Sequence, residues 1–180
     1  LAFLAGPVPG TPPAAAAMPP GAPTAVDGPW FIENVGQFDP AARFQAWGGQ
    51  QAAWLAEDAI WLSAIGPLAR SNVETFQRAN VRLSFPGANP HPRIVPFERV
   101  DTRVSYFRGS DPAGWRAEVP VWRGVRYVDL YPGVALELAA DGQGVAWRLT
   151  ARPGADLAQV RLRIEGVDDV SVRDGRLLLE

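Results

Sequence analysis

From Val104 to Gly166 the chain is written almost throughout in short runs that alternate apolar and polar residues, cut apart by Gly, Pro and Asp. A period of two puts alternate side chains on opposite faces of a strand, a pattern an amphipathic helix does not share. The clearest case is Val134–Ala140 followed by Asp141-Gly142 and Val145–Ala151. Val134, Leu136 and Leu138 share one face, Val145, Trp147 and Leu149 answer from the next strand, and Asp-Gly is a strong hairpin turn. Val160, Leu162 and Ile164 repeat the pattern with Arg161 and Arg163 on the other face, and Val170–Glu180 reads as a second hairpin turning at Asp174-Gly175.

The same grammar extends upstream. ARFQAWG, QAAWLAED and AIWLSAI read as a meander with turns at Gly48-Gly49 and Glu57-Asp58. SNVETFQRAN, residues 71–80, has few apolar positions and reads as a loop. Val81, Leu83 and Phe85 then alternate with Arg82 and Ser84 up to a stop at Pro86-Gly87. RIVPFERV reads as an edge segment, because Pro96 has no N–H to give a ladder. RVSYFRG follows as a separate run, ending in the Gly109–Pro112 turn. Gly124, inside the strand pattern of Val119–Tyr131, predicts a bulge. Strands at this spacing, with no helical stretch of useful length, predict an all-β fold, an antiparallel β-sandwich-like domain.

The first 29 residues are different in kind. They are almost wholly Ala, Pro and Gly with one charge, Asp27, and such a segment cannot build a packed core. The chain therefore divides into an extended Pro/Ala-rich N-terminal arm or linker, 1–29, and an antiparallel β-rich domain, 30–180. Leu1–Ala5 also fits the end of a signal-peptide apolar region, and it is too short to span a membrane. The expectation is that the arm docks on a protein partner or a neighbouring copy. The last strand, at the end of the chain, is expected to be open to a further strand.

Composition removes several kinds of chemistry. The net charge is −2 with mixed signs, so no basic patch argues for nucleic acid. All 17 cations are arginine, in keeping with the abundance of Ala, Gly and Pro. With no cysteine, disulfides, thiol catalysis and Cys-based zinc sites are excluded. The single histidine, His91, lies in the loop Asn89-Pro90-His91-Pro92, and no HExxH motif or second His supports a metal. Asp111, Asp168 and Asp169 are turn acids without a calcium-loop pattern. No GxSxG, GxGxxG or phosphate-loop motif occurs. Glu33, Glu118, Asp129 and Glu137 are the carboxylates to consider for glycoside hydrolysis, but nothing in the sequence pairs any two of them. No catalytic residue, cofactor or metal site is predicted.

Seven tryptophans remain. Trp47, Trp54, Trp61 and Trp147 stand in alternating apolar runs, which predicts burial. Trp30, Trp115 and Trp122 have more polar neighbours and are the candidates for exposure, as contacts for a protein or a glycan.

Five motifs occur in order: Glu33-Asn34-Val35-Gly36-Gln37, Gly87-Ala88-Asn89-Pro90, Tyr106–Pro112 with Trp115, Val125–Gly133, and Pro153-Gly154-Ala155-Asp156. Together they resemble the N-terminal domain of unknown function of large bacterial secreted proteins that carry SBBP-type β-propeller repeats. The resemblance covers roughly Trp30 to Glu180. It implies an extracellular or cell-surface setting and a modular, non-enzymatic part, and it brings no catalytic residues with it. The repeats themselves do not follow within this chain. The functional expectation is a structural or interaction module, the N-terminal adaptor of a larger surface protein; the alternative is a carbohydrate-binding module that uses exposed tryptophans.

Overall fold

The computed structural model describes residues 2–6, 29–48, 51–67, 76–107, 109–142, 144–173 and 176–179. Its strands, in chain order, are β1 (Ala2–Gly6), β2 (Trp30–Glu33), β3 (Phe44–Gly48), β4 (Gln51–Leu55), β5 (Ala59–Pro67), β6 (Phe76–Ser84), β7 (Arg93–Tyr106), β8 (Arg116–Tyr131), β9 (Val134–Asp141), β10 (Gly144–Ala151), β11 (Arg161–Glu165), β12 (Val170–Arg173) and β13 (Arg176–Leu179). Two single-turn 3₁₀ segments, Pro112–Gly114 and Leu157–Gln159, are the helical elements of the described residues.

The fold is all-β, and its main body is one curled sheet of eleven strands in the order β1-β11-β6-β5-β4-β3-β2-β8-β9-β10, with β7 on the other side of β8. Every pairing in it is antiparallel except β1 with β11, which is parallel. The expected final hairpin forms as β12 with β13, a separate two-stranded sheet. Of the arm, Ala2–Gly6 lies against this chain's own β11, and residues 7–28 lie outside the described residues.

The β3-β4-β5 meander follows the alternation. Phe44 stands opposite Leu55 and Leu55 opposite Ile60, while Gln45, Trp54 and Trp61 form the neighbouring row. Rows of opposite parity point to opposite faces. Phe44, Leu55 and Ile60 thus join Phe31, Leu83, Tyr127, Leu136, Leu138 and Ile164 in a first apolar cluster. Trp54 and Trp61 join Trp30, Ile32, Phe38, Tyr106, Val119 and Val121 in a second. Each side chain buried this fully contributes about 1.5–3 kcal/mol relative to exposure.

Strand β8 connects the two clusters. Val119 and Val121 belong to the second and Val125 and Tyr127 to the first, although all four share one parity. The change falls at Gly124, where β8 exchanges β2 for β9 as its neighbour. The bulge predicted at this glycine is displaced: the β7–β8 register runs from Phe97↔Gly124 to Arg99↔Trp122 without a shift. What Gly124 provides is room, since a Cβ there would stand 2.7 Å from the Leu138 carbonyl oxygen and inside the Phe97 ring's contact distance. The irregularities sit elsewhere, between Val100 and Arg103, between Val104 and Tyr106, and between Tyr127 and Tyr131. Glu98, Glu118 and Asp129 have positive φ, between 52° and 54°, on these two long strands.

Two further corrections concern strand limits. Residues 76–80 are strand, not loop, because β5 runs on to Pro67 and its backbone pairs with them whatever their side chains. The separate runs read around residues 93–106 are one 14-residue strand, and Pro96 does lie on the edge as expected, since among the described residues β7 pairs with β8 alone. Residues 71–75 of the predicted loop lie outside the described residues.

Candidate functional site

Strand β2 ends at Glu33, and the turn that follows is organised by one side chain. Asn34 Oδ1 accepts from the backbone N–H of Gly36 (3.0 Å) and Phe38 (3.2 Å), and its Nδ2 donates to the carbonyls of Asp39 (2.9 Å) and Ala42 (2.6 Å). That uses both functions of the amide, in the manner of an Asx turn extended by a second loop. Gln37 closes the ring, donating from Nε2 to the Glu33 carbonyl (2.6 Å) and accepting from the Val35 N–H at Oε1 (2.8 Å). Gly36 holds φ at 101°, a conformation side chains rarely adopt. Phe38 fastens the loop to the second cluster, its ring meeting Trp54 and Tyr106 edge-to-face at 5.1 and 5.2 Å.

A second loop joins β7 to β8 beside this one. Asp111 caps the short 3₁₀ turn, accepting from the Ala113 N–H at 2.9 Å. Trp115 Nε1 donates to the Gly109 carbonyl (3.3 Å), and the Trp115 and Phe107 rings meet edge-to-face at 5.5 Å. Arg116 joins the loops: Nε donates to the Val35 carbonyl (2.9 Å), and Nη1 donates to the carbonyls of Ala113 and Trp115 (2.8 Å each). The result is a tip with a hydrogen-bonded base and an apolar outer surface: Val35 is 44%, Phe107 63% and Trp115 40% exposed.

Of the three tryptophans expected at the surface, only Trp115 is there. Trp30 is 5% exposed. Strand β2 lies between β3 and β8 and turns Trp30 and Ile32 into the second cluster. Trp122 is half-buried against the first cluster, with the Arg99 guanidinium over its ring. Among the described residues the buried indole N–H groups of Trp30 and Trp122 have no hydrogen-bond partner. Trp54 and Trp61 are buried as predicted and Trp47 is half-buried, but Trp147 is 40% exposed, because among the described residues β10 ends the sheet and none extends the core past it. Phe107 was missed. The signal was available: with Tyr106 facing inward, the alternation leaves its neighbour facing out.

Three of the four carboxylates weighed for hydrolysis face arginines: Glu118 with Arg103 (2.9 Å), Asp129 with Arg152 (3.5 Å), and Glu137 with Arg126 (2.6 Å) and Arg148 (3.6 Å). Glu33 borders an open cleft of about 400 Å³ with Asn34, Arg43, Phe44, Ile94 and Pro96. The Asn34 amide there is already committed to the loop. His91 Nδ1 lies 3.0 Å from Glu57 on the surface. No cluster of three metal-ligating side chains occurs among the described residues. No helix among them is long and apolar enough to cross a membrane.

Residues 31–180 match the model of a family described as a domain of unknown function, DUF7948. The chain belongs to the DUF7948 family. No curated protein and no solved structure matches it.

In this DUF7948 domain the five sequence motifs gather at the two ends of β8. At its start, Glu33–Gln37 and Tyr106–Trp115 build the tip. At its end, the other three lock together. The Asn89 N–H donates to the Leu130 carbonyl (2.8 Å) and the Arg152 N–H to the Gly133 carbonyl (2.9 Å). Gly133, at φ 72°, leaves room for Ala155, whose Cβ would stand 3.2 Å from an added one. The Tyr131 hydroxyl lies 2.9 Å from the Pro86 carbonyl and accepts from the Arg161 N–H at 3.1 Å. Asp156 caps the second 3₁₀ turn, and its bonds from Gln159 and from the Ala158 N–H hold its carboxyl below the usual range. One end of β8 thus has its motif residues committed to internal bracing, and the other braces a surface.

Proposed function

We propose that the DUF7948 domain is a non-catalytic interaction module, the N-terminal adaptor of a larger secreted or cell-surface protein with SBBP-type β-propeller repeats. It engages a protein partner through the tip formed by Val35, Phe107 and Trp115. The observation that carries this reading is the pairing of exposure with rigidity. Three apolar side chains stand in solvent, Phe107 and Trp115 in ring contact, on two loops that the Asn34 and Arg116 hydrogen bonds order and join. Exposed apolar patches mark interaction surfaces, and a pre-ordered aromatic anchor binds at a smaller entropic cost than a flexible one. Two of the five motifs that carry the family resemblance, Glu33–Gln37 and Tyr106–Pro112 with Trp115, supply this tip, and Arg116 beside them joins its two loops.

Placing a photoreactive amino acid at position 107 in the intact protein on its source cells tests the proposal. A discrete crosslinked protein is expected from position 107, and none from an exposed control position away from both the tip and the β10 edge, such as 168 between β11 and β12. A glycan array with the wild-type domain and Trp115→Ala separates the alternative. Sugar binding that depends on Trp115, with no protein crosslink, replaces the adaptor reading with the carbohydrate-binding one.

A further inference from the structure

A second surface, on β10, is independent of the tip. Strand β10 ends the eleven-stranded sheet, and among the described residues nothing pairs with its outer side. Exposed edges are usually blunted by proline, bulges or kinks. The other long edge, β7, is blunted: it carries Pro96, a positive φ at Glu98 and two register shifts. Strand β10 has none of these, and its register with β9 runs unbroken over eight pairs, from Gly144↔Asp141 to Ala151↔Val134.

Its side chains continue rows that cross the sheet and stop in mid-pattern. On the core face, Val125–Leu138–Trp147 and Tyr127–Leu136–Leu149 are transverse apolar rows. Their inner members are 2% exposed or less, and their last members, Trp147 and Leu149, are each 40% exposed. On the opposite face, between those rows, Arg126–Glu137–Arg148 alternates in charge. Glu137 is held by both arginines, and the row ends on Arg148, whose side chain is 73% exposed. The position across from Arg148 on a twelfth strand would complete the alternation with a carboxylate.

We infer that β10 is a strand-accepting edge whose occupant is an extended segment of another polypeptide with an apolar–acidic–apolar centre. Its apolar residues cover Leu149 and Trp147, and its carboxylate pairs with Arg148. The pattern is the same for a parallel or an antiparallel strand, since consecutive residues alternate faces in both. A second copy's β10 is a poor occupant: antiparallel pairing centred on this strand sets Arg148 against Arg148, and like charges directly opposite destabilise.

The test uses the whole chain, isotopically labelled for amide NMR, and three synthetic eight-residue peptides. One has a Val-Glu-Val centre in a Thr/Ser frame, one Val-Lys-Val, and one is the glutamate peptide with alternate backbone nitrogens methylated. The glutamate peptide is expected to shift the amides of residues 144–151 and slow their hydrogen exchange. It should bind about fivefold tighter than the lysine peptide, the size of a favourable cross-strand pair exchanged for a repulsive one. The methylated peptide should not bind. Arg148→Gln, which leaves Glu137 its Arg126 partner, should remove the preference, and Arg148→Glu should reverse it. The inference is overturned if β10 amides do not respond, or if affinity ignores the charge at the centre. It is equally overturned if the chain self-associates through β10 in sedimentation and Trp147→Ala abolishes that association.

Discussion

Arg116 Nε donates to the carbonyl oxygen of Val35 at 2.9 Å, joining residues 81 positions apart in the chain. The same guanidinium donates to Ala113 and Trp115, so one side chain fixes both loops of the tip. Planarity makes this possible, because the arginine fork presents several donors in fixed directions, and lysine offers a single flexible point charge.

Arg116→Ala should therefore loosen the tip more than it destabilises the domain. The bonds are solvent-exposed, so the expected loss is about 1–2 kcal/mol in urea unfolding. The more sensitive readout is limited proteolysis, with new cleavage between Phe107 and Trp115 under native conditions. Arg116→Lys should restore stability only in part and leave the loop cleavable. An alanine variant as resistant as wild type would remove the argument that this residue orders the tip.

Asn34 tests the base of the same structure. Its amide makes four hydrogen bonds to main-chain groups, and Asn34→Ala leaves all four groups without it. A loss of about 2–4 kcal/mol is expected, from about 1 kcal/mol per bond. Asn34→Asp separates the two halves of the amide: it keeps the acceptor for Gly36 and Phe38 and loses the donor to Asp39 and Ala42. It should fall between wild type and alanine in thermal unfolding. Equal effects for the two variants would mean that the donor side alone matters.

Gly124→Ala should destabilise by about 1–3 kcal/mol, the usual cost of forcing a methyl into filled space. The new Cβ meets both the Phe97 ring and the Leu138 carbonyl, so Phe97→Ala in the same chain relieves one contact and not the other. Partial rescue in the double variant, read from denaturant midpoints, is the expected result. A neutral Gly124→Ala would show that β8 can shift at the point where it passes between the two clusters.

Much of this architecture is written locally. The β9–β10 hairpin follows from alternation and Asp141-Gly142, the β3-β4-β5 meander from its tryptophans, and the edge position of β7 from Pro96. What a local reading cannot supply is which strand neighbours which. Trp30 is buried because β2 lies between β3 and β8, a pairing that spans some ninety residues of chain. Trp147 is exposed for the converse reason, since a perfect alternating pattern does not tell a central strand from a terminal one. The strand character of residues 76–80 is likewise lent by β5. In the candidate site, the Asn34 and Gly36 turn was legible as a motif. Its junction with the loop before Trp115 depends on Arg116, which alternation treats as one more outward charge.

Tyr127 offers a test of the core through pH. Its hydroxyl is buried and donates to the Ala56 carbonyl at 2.9 Å. Burial first, and then the negative charges of Asp58 and Glu57, push its pKa far above the ordinary tyrosine value near 10. The sign follows from proton counting. Above pH 10 the unfolded chain releases a proton that the folded chain keeps, so stability from this group is complete below pH 10 and declines as pH rises beyond it. Tyr127→Phe removes both effects. At pH 7 the variant should be less stable by about 1–2 kcal/mol, because the Ala56 carbonyl loses its buried donor. Between pH 10 and 11.5 its stability should fall less steeply than that of wild type, and the gap between the two proteins should narrow. Urea unfolding at pH 7, 9, 10.5 and 11.5 measures both. Curves that stay parallel across that range would place the Tyr127 hydroxyl in contact with solvent, and the first cluster could not then be closed at β8.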